Sequence, residues 1–346
     1  MKTSRQAVAD AAQRLHGAYA ARDAELLLMH ALKITRASLL ANPQRELTHK
    51  EETRFDAMVA ERATGKPIQY ITGVQEFYGL EFAVTPDVLI PRPETEHLVE
   101  AVLARVSCDK PLSIADVGTG SGAIAIALAH ALPLAQVQAL DISEAALEVG
   151  LENAMRHCVV ARVQFVQSDL FSLVWTDDFD VVVSNPPYIP LADAATLEPQ
   201  VRDFEPQIAL FGGEDGLAVY RELIPQAAKM VRLRGLLVME IGYGQREQIA
   251  EMLREPAGLW HGIKFLKDLQ GIERVVVARR TSLSLKSPEE LQFKKAGAKN
   301  FKKLLRELNI NIEDLDPPLM RGTQRQKVFA KLLNEEFKKA RLRKVN

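Results

Sequence analysis

Two short segments carry residue types whose order could do chemistry. The first runs from Asp116 to Gly122 and holds three glycines, with Asp141 following twenty-three residues after Gly118. Glycines let a backbone turn sharply and approach a ligand closely, so Gly118, Thr119, Gly120, Ser121 and Gly122 describe a cradle. A carboxylate at Asp141 could accept both hydroxyls of a ribose. Asp116, just before the glycines, would repel a pyrophosphate and suits a cationic ligand such as S-adenosylmethionine. The glycines alone leave the choice open. Gly118, Gly120 and Ala123 also satisfy the dinucleotide pattern G-x-G-x-x-G/A, and a tight turn with no ligand has the same spelling.

The second segment is Asn185, Pro186, Pro187 and Tyr188, directly after Ser184. The prolines stiffen the turn and contribute no N–H, so their carbonyls only accept. The Asn185 side-chain oxygen and the Pro186 carbonyl could accept both hydrogens of a planar –NH₂ group, with the Tyr188 ring stacked on the amide or base that carries it. Such a nitrogen is a poor nucleophile because its lone pair is delocalised. Drawing its hydrogens toward acceptors raises electron density on nitrogen and aims the lone pair at an incoming methyl group, so positioning does most of the work. No general base is visible nearby, and the proton can leave to water. The alternative is a proline-stiffened strand end with a packing tyrosine.

The elements that must position these segments alternate from residue 112 onward. Short apolar runs at Leu112–Val117, Val137–Leu140, Val163–Val166, Phe179–Val183 and Leu236–Ile241 predict strands, with helices from Ala123 to Ala131 and from Glu144 to about His157. Ile263–Leu266 and Arg274–Ala278 can add an antiparallel edge. This alternation means an α/β fold with a largely parallel sheet covered on both faces. Residues 1–62 read as helix only, with Thr48 and Glu51 spaced as a capping box. The runs Tyr70–Gly73 and Phe77–Val84 look β-like, as a hairpin or linker. Residues 281–346 return to a helical pattern that opens on Ser287 and Pro288 and carries apolar stripes at Phe301, Leu304, Leu305 and Leu308 and at Val328, Phe329, Leu332, Leu333 and Phe337.

Composition narrows the class. Of 346 residues, 47% are hydrophobic and 26% charged, which excludes a disordered or low-complexity chain. The formal charge of −1 hides a split: residues 281–346 hold 16 Lys+Arg and 8 Asp+Glu, a net +8, so the first 280 residues carry −9. The body therefore lacks the basic footprint of a nucleic-acid binder, whereas the C-terminal piece reads first as a solvated basic helical pair, docked on the body or loosely linked, and second as an amphipathic arm that contacts nucleic acid or an acidic partner. Cys108 and Cys158 make neither a disulfide framework nor a zinc site, and are expected as small buried or half-buried apolar residues in a reducing compartment. With no secretory signal at the N-terminus and no apolar stretch long enough to span a bilayer, a cytoplasmic protein without membrane contact is expected.

The same residues resemble a known family. The glycine turn at 118–122, Asp141 and Asn185–Tyr188 resemble the S-adenosylmethionine-dependent amino-group methyltransferases. Residues 67–73 (PIQYITG), 90–96 (IPRPETE) and 204–206 (FEP) are similar to the HemK family, the glutamine-N5 methyltransferases of class 1 peptide chain release factors. The resemblance covers about residues 1–280. It implies a Rossmann-like class I methyltransferase sheet over 111–280, a small all-helical N-terminal substrate-recognition domain over 1–73, and a β-hairpin, linker and lid segment over 74–110. The basic helical extension at 281–346 has no counterpart in the resemblance. It also implies that Asp116, Gly118–Gly122, Asp141 and Asn185 hold S-adenosylmethionine, that Asp169 and Leu170 flank its adenine, and that Asn185, Pro186, Pro187 and Tyr188 take the glutamine of the release factor's Gly-Gly-Gln loop, with Asn185, Pro186 and Tyr188 as the catalytic set. A monomer is expected. Family members can carry an aromatic where this chain has Leu170. Arg92, Pro93 and Glu94 look like a lid whose individual roles stay open. Competing readings are glutamine methylation of a ribosomal protein, amino-group methylation of a base, and a non-catalytic binding protein on the same fold.

Overall fold

A computed structural model describes residues 2–15, 17, 19–174, 178–255 and 259–281. The expected basic extension lies outside the described residues from 282 onward, together with its start at Ser287 and both apolar stripes.

The chain begins with α1 (Ser4–Leu15), α2 (Ala20–Leu32), α3 (Arg36–Ala41) and α4 (His49–Ala63). Thr48 and Glu51 form the expected capping box, each side chain satisfying a backbone N–H that the first turn leaves without a partner. Ala24, Leu27, Leu28 and Ala31 recur at helical spacing along α2 and meet Leu47, Phe55 and Val59 in a separate helical core. Tyr70–Gly73 is not a strand. It belongs to α5 (Ile68–Thr72), which is only five residues long and closes on Gly73 at φ 78°. Burial of Tyr70, whose hydroxyl donates to the Val88 carbonyl at 2.6 Å, outweighs the β-branched composition of the run.

A hairpin follows: β1 (Val74–Phe77) and β2 (Leu80–Ala83), antiparallel. Tyr78 and Gly79 both take positive φ, the two-residue turn whose twist matches a hairpin. A single 3-10 turn at Pro93–Thr95 then leads into α6 (Glu96–Leu103).

The main body contains β3 (Leu112–Val117), α7 (Ala123–Ala131), β4 (Ala135–Asp141), α8 (Glu144–Arg156), β5 (Val163–Gln167) and β6 (Phe179–Ser184). After these come α9 (Pro199–Arg202), α10 (Gln207–Leu210), α11 (Ala218–Met230), β7 (Val231–Glu240), α12 (Arg246–Arg254), β8 (Trp260–Lys267) and β9 (Glu273–Arg280). Among the described residues these strands form one seven-stranded sheet in the order β5-β4-β3-β6-β7-β9-β8. The first five run parallel, and β9 lies antiparallel to both β7 and β8. Apolar side chains leave both faces, one meeting α6 and α7, the other α11 and α12. Strand order reverses between β3 and β6, and in open α/β sheets the crevice outside the carboxyl ends at such a point is where ligands sit.

Both cysteines are exposed, against expectation. Cys158 follows α8 at φ 57°, a left-handed turn that carries its side chain away from the core. Cys108 lies in the connection before β3, with Asp109 beside its sulfur. Among the described residues, no helix is long and apolar enough to cross a membrane.

Candidate active site

The glycine turn is built from the end of β3 outward. Gly118 and Thr119 N–H groups both donate to the Leu140 carbonyl, at 2.8 and 2.9 Å, which folds the turn back against β4. Gly118 and Gly120 take φ of +73° and +54°, and a Cβ at either would meet nothing within 4 Å. Their backbones therefore border open space. Gly122 differs, since a Cβ there would stand 3.0 Å from Ile126 and 3.5 Å from Phe165; it is needed for helix packing. Asn153, on α8, ties this turn to the hairpin: its amide donates to the carbonyls of Ser121 and Ala83 and accepts from the Ala83 N–H.

Asp141 ends β4 and reaches the same turn. One carboxylate oxygen accepts from Gly120 N–H at 2.8 Å and the other from Ser143 N–H at 2.9 Å. Burial raises its pKa, and these backbone donors work against the rise. Each oxygen still has a lone pair for a further donor, which suits a vicinal diol. Ser168 N–H donates to the Asp141 carbonyl, so Asp169 stands at the neighbouring strand end. Asp169 is exposed; Leu170 is half-buried at φ 48° and packs against the core cluster of Phe171 and Phe179.

Asp116 is wholly buried. Its Oδ2 accepts from Thr119 Oγ1 at 2.6 Å and Ala125 N–H at 3.1 Å, so half of the carboxylate organises the turn itself. Its Oδ1 has no protein partner. Burial pushes its pKa up to about 7 despite the two donors, and nearby Asp141 adds to the rise. A buried carboxylate with a spare oxygen, open space at Gly118 and Gly120, and free lone pairs on Asp141 fit a nucleoside ligand bearing positive charge. S-adenosylmethionine has that character.

The second segment leaves the end of β6. The Ser184 hydroxyl donates to the Val117 carbonyl at 2.7 Å, setting this loop beside the glycine turn. Asn185 Nδ2 donates to Thr95 Oγ1 at 3.1 Å. The Thr95 hydroxyl in turn donates to Glu240 Oε2 at 2.7 Å, and the Tyr188 hydroxyl donates to Glu240 Oε1 at 3.3 Å. Glu240, the last residue of β7, is buried; desolvation pushes its pKa up to about 7, while Thr95, Tyr188 and Arg274 hold it down. Burial and the Glu240 charge raise the Tyr188 hydroxyl as well. The loop backbone is clamped from outside: Gln245 Nε2 donates to the Tyr188 carbonyl at 2.9 Å, and Pro186 is buried while Pro187 is half-buried. With one N–H of its amide held on Thr95, Asn185 leaves its oxygen as an acceptor.

The sequence motifs around Arg92 acquire places. Arg92 pairs with buried Glu205, which also accepts from Ile90 N–H, so the IPRPETE and FEP segments are stitched together. Thr95 carries the same segment into the Asn185 loop. Glu240 and Gln245 escape sequence reasoning, although a carboxylate within the apolar run Leu236–Ile241 was the available signal.

Residues 6–73 match the PrmC N-terminal domain family, and residues 95–197, from Thr95 past the Asn185 loop, match the methyltransferase small domain. The release factor glutamine methyltransferase of Koribacter versatilis is 47% identical over 74% of this chain and 90% of its own. That of Moorella thermoacetica is 46% identical over 80% of this chain and 99% of its own, and that of Nitratidesulfovibrio vulgaris 41% identical over 75% and 88%. Identity of this order across nearly the whole of each relative takes in both the helical N-terminal region and the sheet, and the chain belongs to the release factor glutamine methyltransferase family.

Proposed function

We propose that this enzyme methylates the side-chain amide nitrogen, N5, of the glutamine in the Gly-Gly-Gln loop of class 1 peptide chain release factors, acting as a cytoplasmic monomer in support of translation termination. The observation that carries the reading is the fixed amide of Asn185 directly after β6, its nitrogen held on Thr95 so that its oxygen is left to accept. That oxygen and the Pro186 carbonyl receive the two hydrogens of the glutamine amide, and the Tyr188 ring stacks on its plane. The geometry draws electron density onto the nitrogen and fixes its approach.

Asp116, the glycine turn and Asp141 would hold S-adenosylmethionine, with Asp169 and Leu170 at the adenine end. When bound, this group would supply an electrophilic methyl and leave as S-adenosylhomocysteine. Alkylation leaves the amide nitrogen positively charged and strongly acidic, so its proton departs to water without a general base.

The test is transfer from labelled S-adenosylmethionine to a release factor carrying Gln or Ala at its Gly-Gly-Gln site. Label on the Gln protein alone is expected. Label that persists on the Ala protein, or that appears only on nucleic acid or a ribosomal protein, overturns the reading.

A further inference from the structure

The pocket that presents Asn185 has a second layer whose hydrogen bonds run in one direction. Glu240 Oε2 accepts at 2.7 Å from Thr95, and Thr95 Oγ1 accepts at 3.1 Å from Asn185. A hydroxyl has one proton to give. Once Thr95 gives it to an acceptor-only carboxylate, its oxygen faces Asn185 purely as an acceptor. Asn185 must then turn Nδ2 inward and Oδ1 outward. A reversed chain, with Thr95 donating to Oδ1, would present an –NH₂ group to the substrate's own –NH₂ and leave buried donors facing one another.

We infer that Glu240 and Thr95 are positioning residues that set the amide orientation of Asn185, and that Glu240 also sets the place of the Tyr188 ring. This rests on Asn185 accepting from the substrate amide, as proposed above. The anchor is itself well held: Glu240 is buried at the end of β7, and its backbone carbonyl accepts from the Tyr220 hydroxyl at 2.8 Å. The titratable and charged groups around it are Glu94 from the 3-10 turn, Tyr188 from the loop after β6, Tyr220 from α11 and Arg274 from β9. Arg274 favours the ionised carboxylate that the direction of the chain requires. Neither Thr95 nor Glu240 need touch substrate, so a fault in the chain should appear in turnover and not in release-factor recognition.

Glu240→Gln keeps shape but offers an –NH₂ group that can reverse the chain. Thr95→Val keeps shape and removes the relay, whereas Thr95→Ser retains the hydroxyl. With saturating S-adenosylmethionine and release factor as substrate, Glu240→Gln and Thr95→Val should each lower kcat by roughly 10- to 100-fold, the scale of a misplaced reacting group. The KM for release factor and calorimetric affinity for S-adenosylmethionine should stay near wild type. Thr95→Ser should restore most of kcat. The double variant should fall no further than the worse single, because both substitutions break one chain. A wild-type kcat that rises with pH as Glu240 ionises should lose that limb in Glu240→Gln.

The inference is overturned if Thr95→Ser is as poor as Thr95→Val, if the two losses multiply, or if kcat is untouched in both. It is also overturned if the loss is wholly one of melting temperature or cofactor affinity. A wild-type enzyme inactive on release factor would instead break the functional reading beneath it.

Discussion

The glycine turn after β3 and the Asn-Pro-Pro-Tyr loop after β6 face one crevice but are held by opposite means. The glycine turn is held largely through its own backbone groups, which bond to the Leu140 carbonyl, to the Asp141 carboxylate 21 residues from Gly120 and, farthest, to the Asn153 amide 32 residues from Ser121. Gly118 and Gly120 face open space. The Asn185 loop is held by side chains from distant elements: Thr95 lies 90 residues away, Glu240 is 52 from Tyr188, and Gln245 is 57 from it. Its outer side is closed by glycines in close contact, since a Cβ on Gly216 would stand 2.2 Å from the Tyr188 carbonyl and one on Gly212 2.5 Å from the Pro187 carbonyl. A cradle for a nucleoside needs room and bare backbone. A site that orients an amide needs rigid support, and rigidity comes from packing across the fold.

The hardest separation of the two regions is Asn185→Ala. It should lower transfer by ~10²- to 10³-fold, the scale of losing one preorganised polar contact, while calorimetry finds S-adenosylmethionine affinity unchanged. Matching losses of turnover and affinity would mean that the regions do not divide the work.

Each region also hides a carboxylate pushed up to about 7, Asp116 and Glu240. For a carboxylate whose folded pKa is raised, folding favours the protonated form. Its contribution is fully present below about pH 4 and is lost as pH climbs through about 7. For Asp116, a rise from 3.8 to about 7 corresponds to a loss of at most about 4 kcal/mol. Urea midpoints should therefore fall between pH 5 and pH 8, and Asp116→Asn should flatten that fall whatever it does to the absolute level. Parallel curves for wild type and variant would refute the assignment.

A pair of alanine substitutions tests the difference in space. Gly216→Ala combines a strained φ of +75° with a collision against the Tyr188 backbone, and should cost about 2–4 kcal/mol in thermal or urea unfolding. Gly118→Ala meets no neighbour, so its stability cost is only that of the left-handed backbone, about 1 kcal/mol. Its main loss should appear in cofactor affinity. The reverse pattern would contradict the view that one region is open and the other packed.

This contrast also explains what the sequence could tell. The β3 strand, α7 and the capping box at Thr48 follow from patterns confined to a few residues, and were readable to within a residue. The glycine turn and Asn185–Tyr188 were readable because their chemistry is spelled consecutively. Thr95 lay inside a segment noticed only by resemblance. Glu240 stood unnoticed in an apolar strand, because its meaning depends on which residues the sheet brings beside it. Tyr70 misled for a related reason: its run looks extended, and only the pocket under Val88 makes it helical. The cysteines misled because composition favours burial, whereas the connection before β3 and the left-handed residue after α8 expose them.

Asp141 gives the smallest and most discriminating test, because its carboxylate both braces the glycine turn and keeps acceptor sites free. Its two oxygens already accept from Gly120 and Ser143 N–H groups, and an ionised carboxylate has about four acceptor sites. The remaining two match the hydroxyls of a ribose. Asp141→Ala should therefore weaken S-adenosylmethionine binding by about 1.5–3 kcal/mol, the range for hydrogen bonds to a charged group, or roughly 10- to 150-fold in Kd. Asp141→Asn keeps one acceptor and should fall between. At saturating cofactor both variants should turn over near the wild-type rate, since the Asn185 loop takes no support from Asp141. If kcat at saturation falls as far as affinity, Asp141 reaches the substrate side through the turn, and the two regions are one mechanical unit.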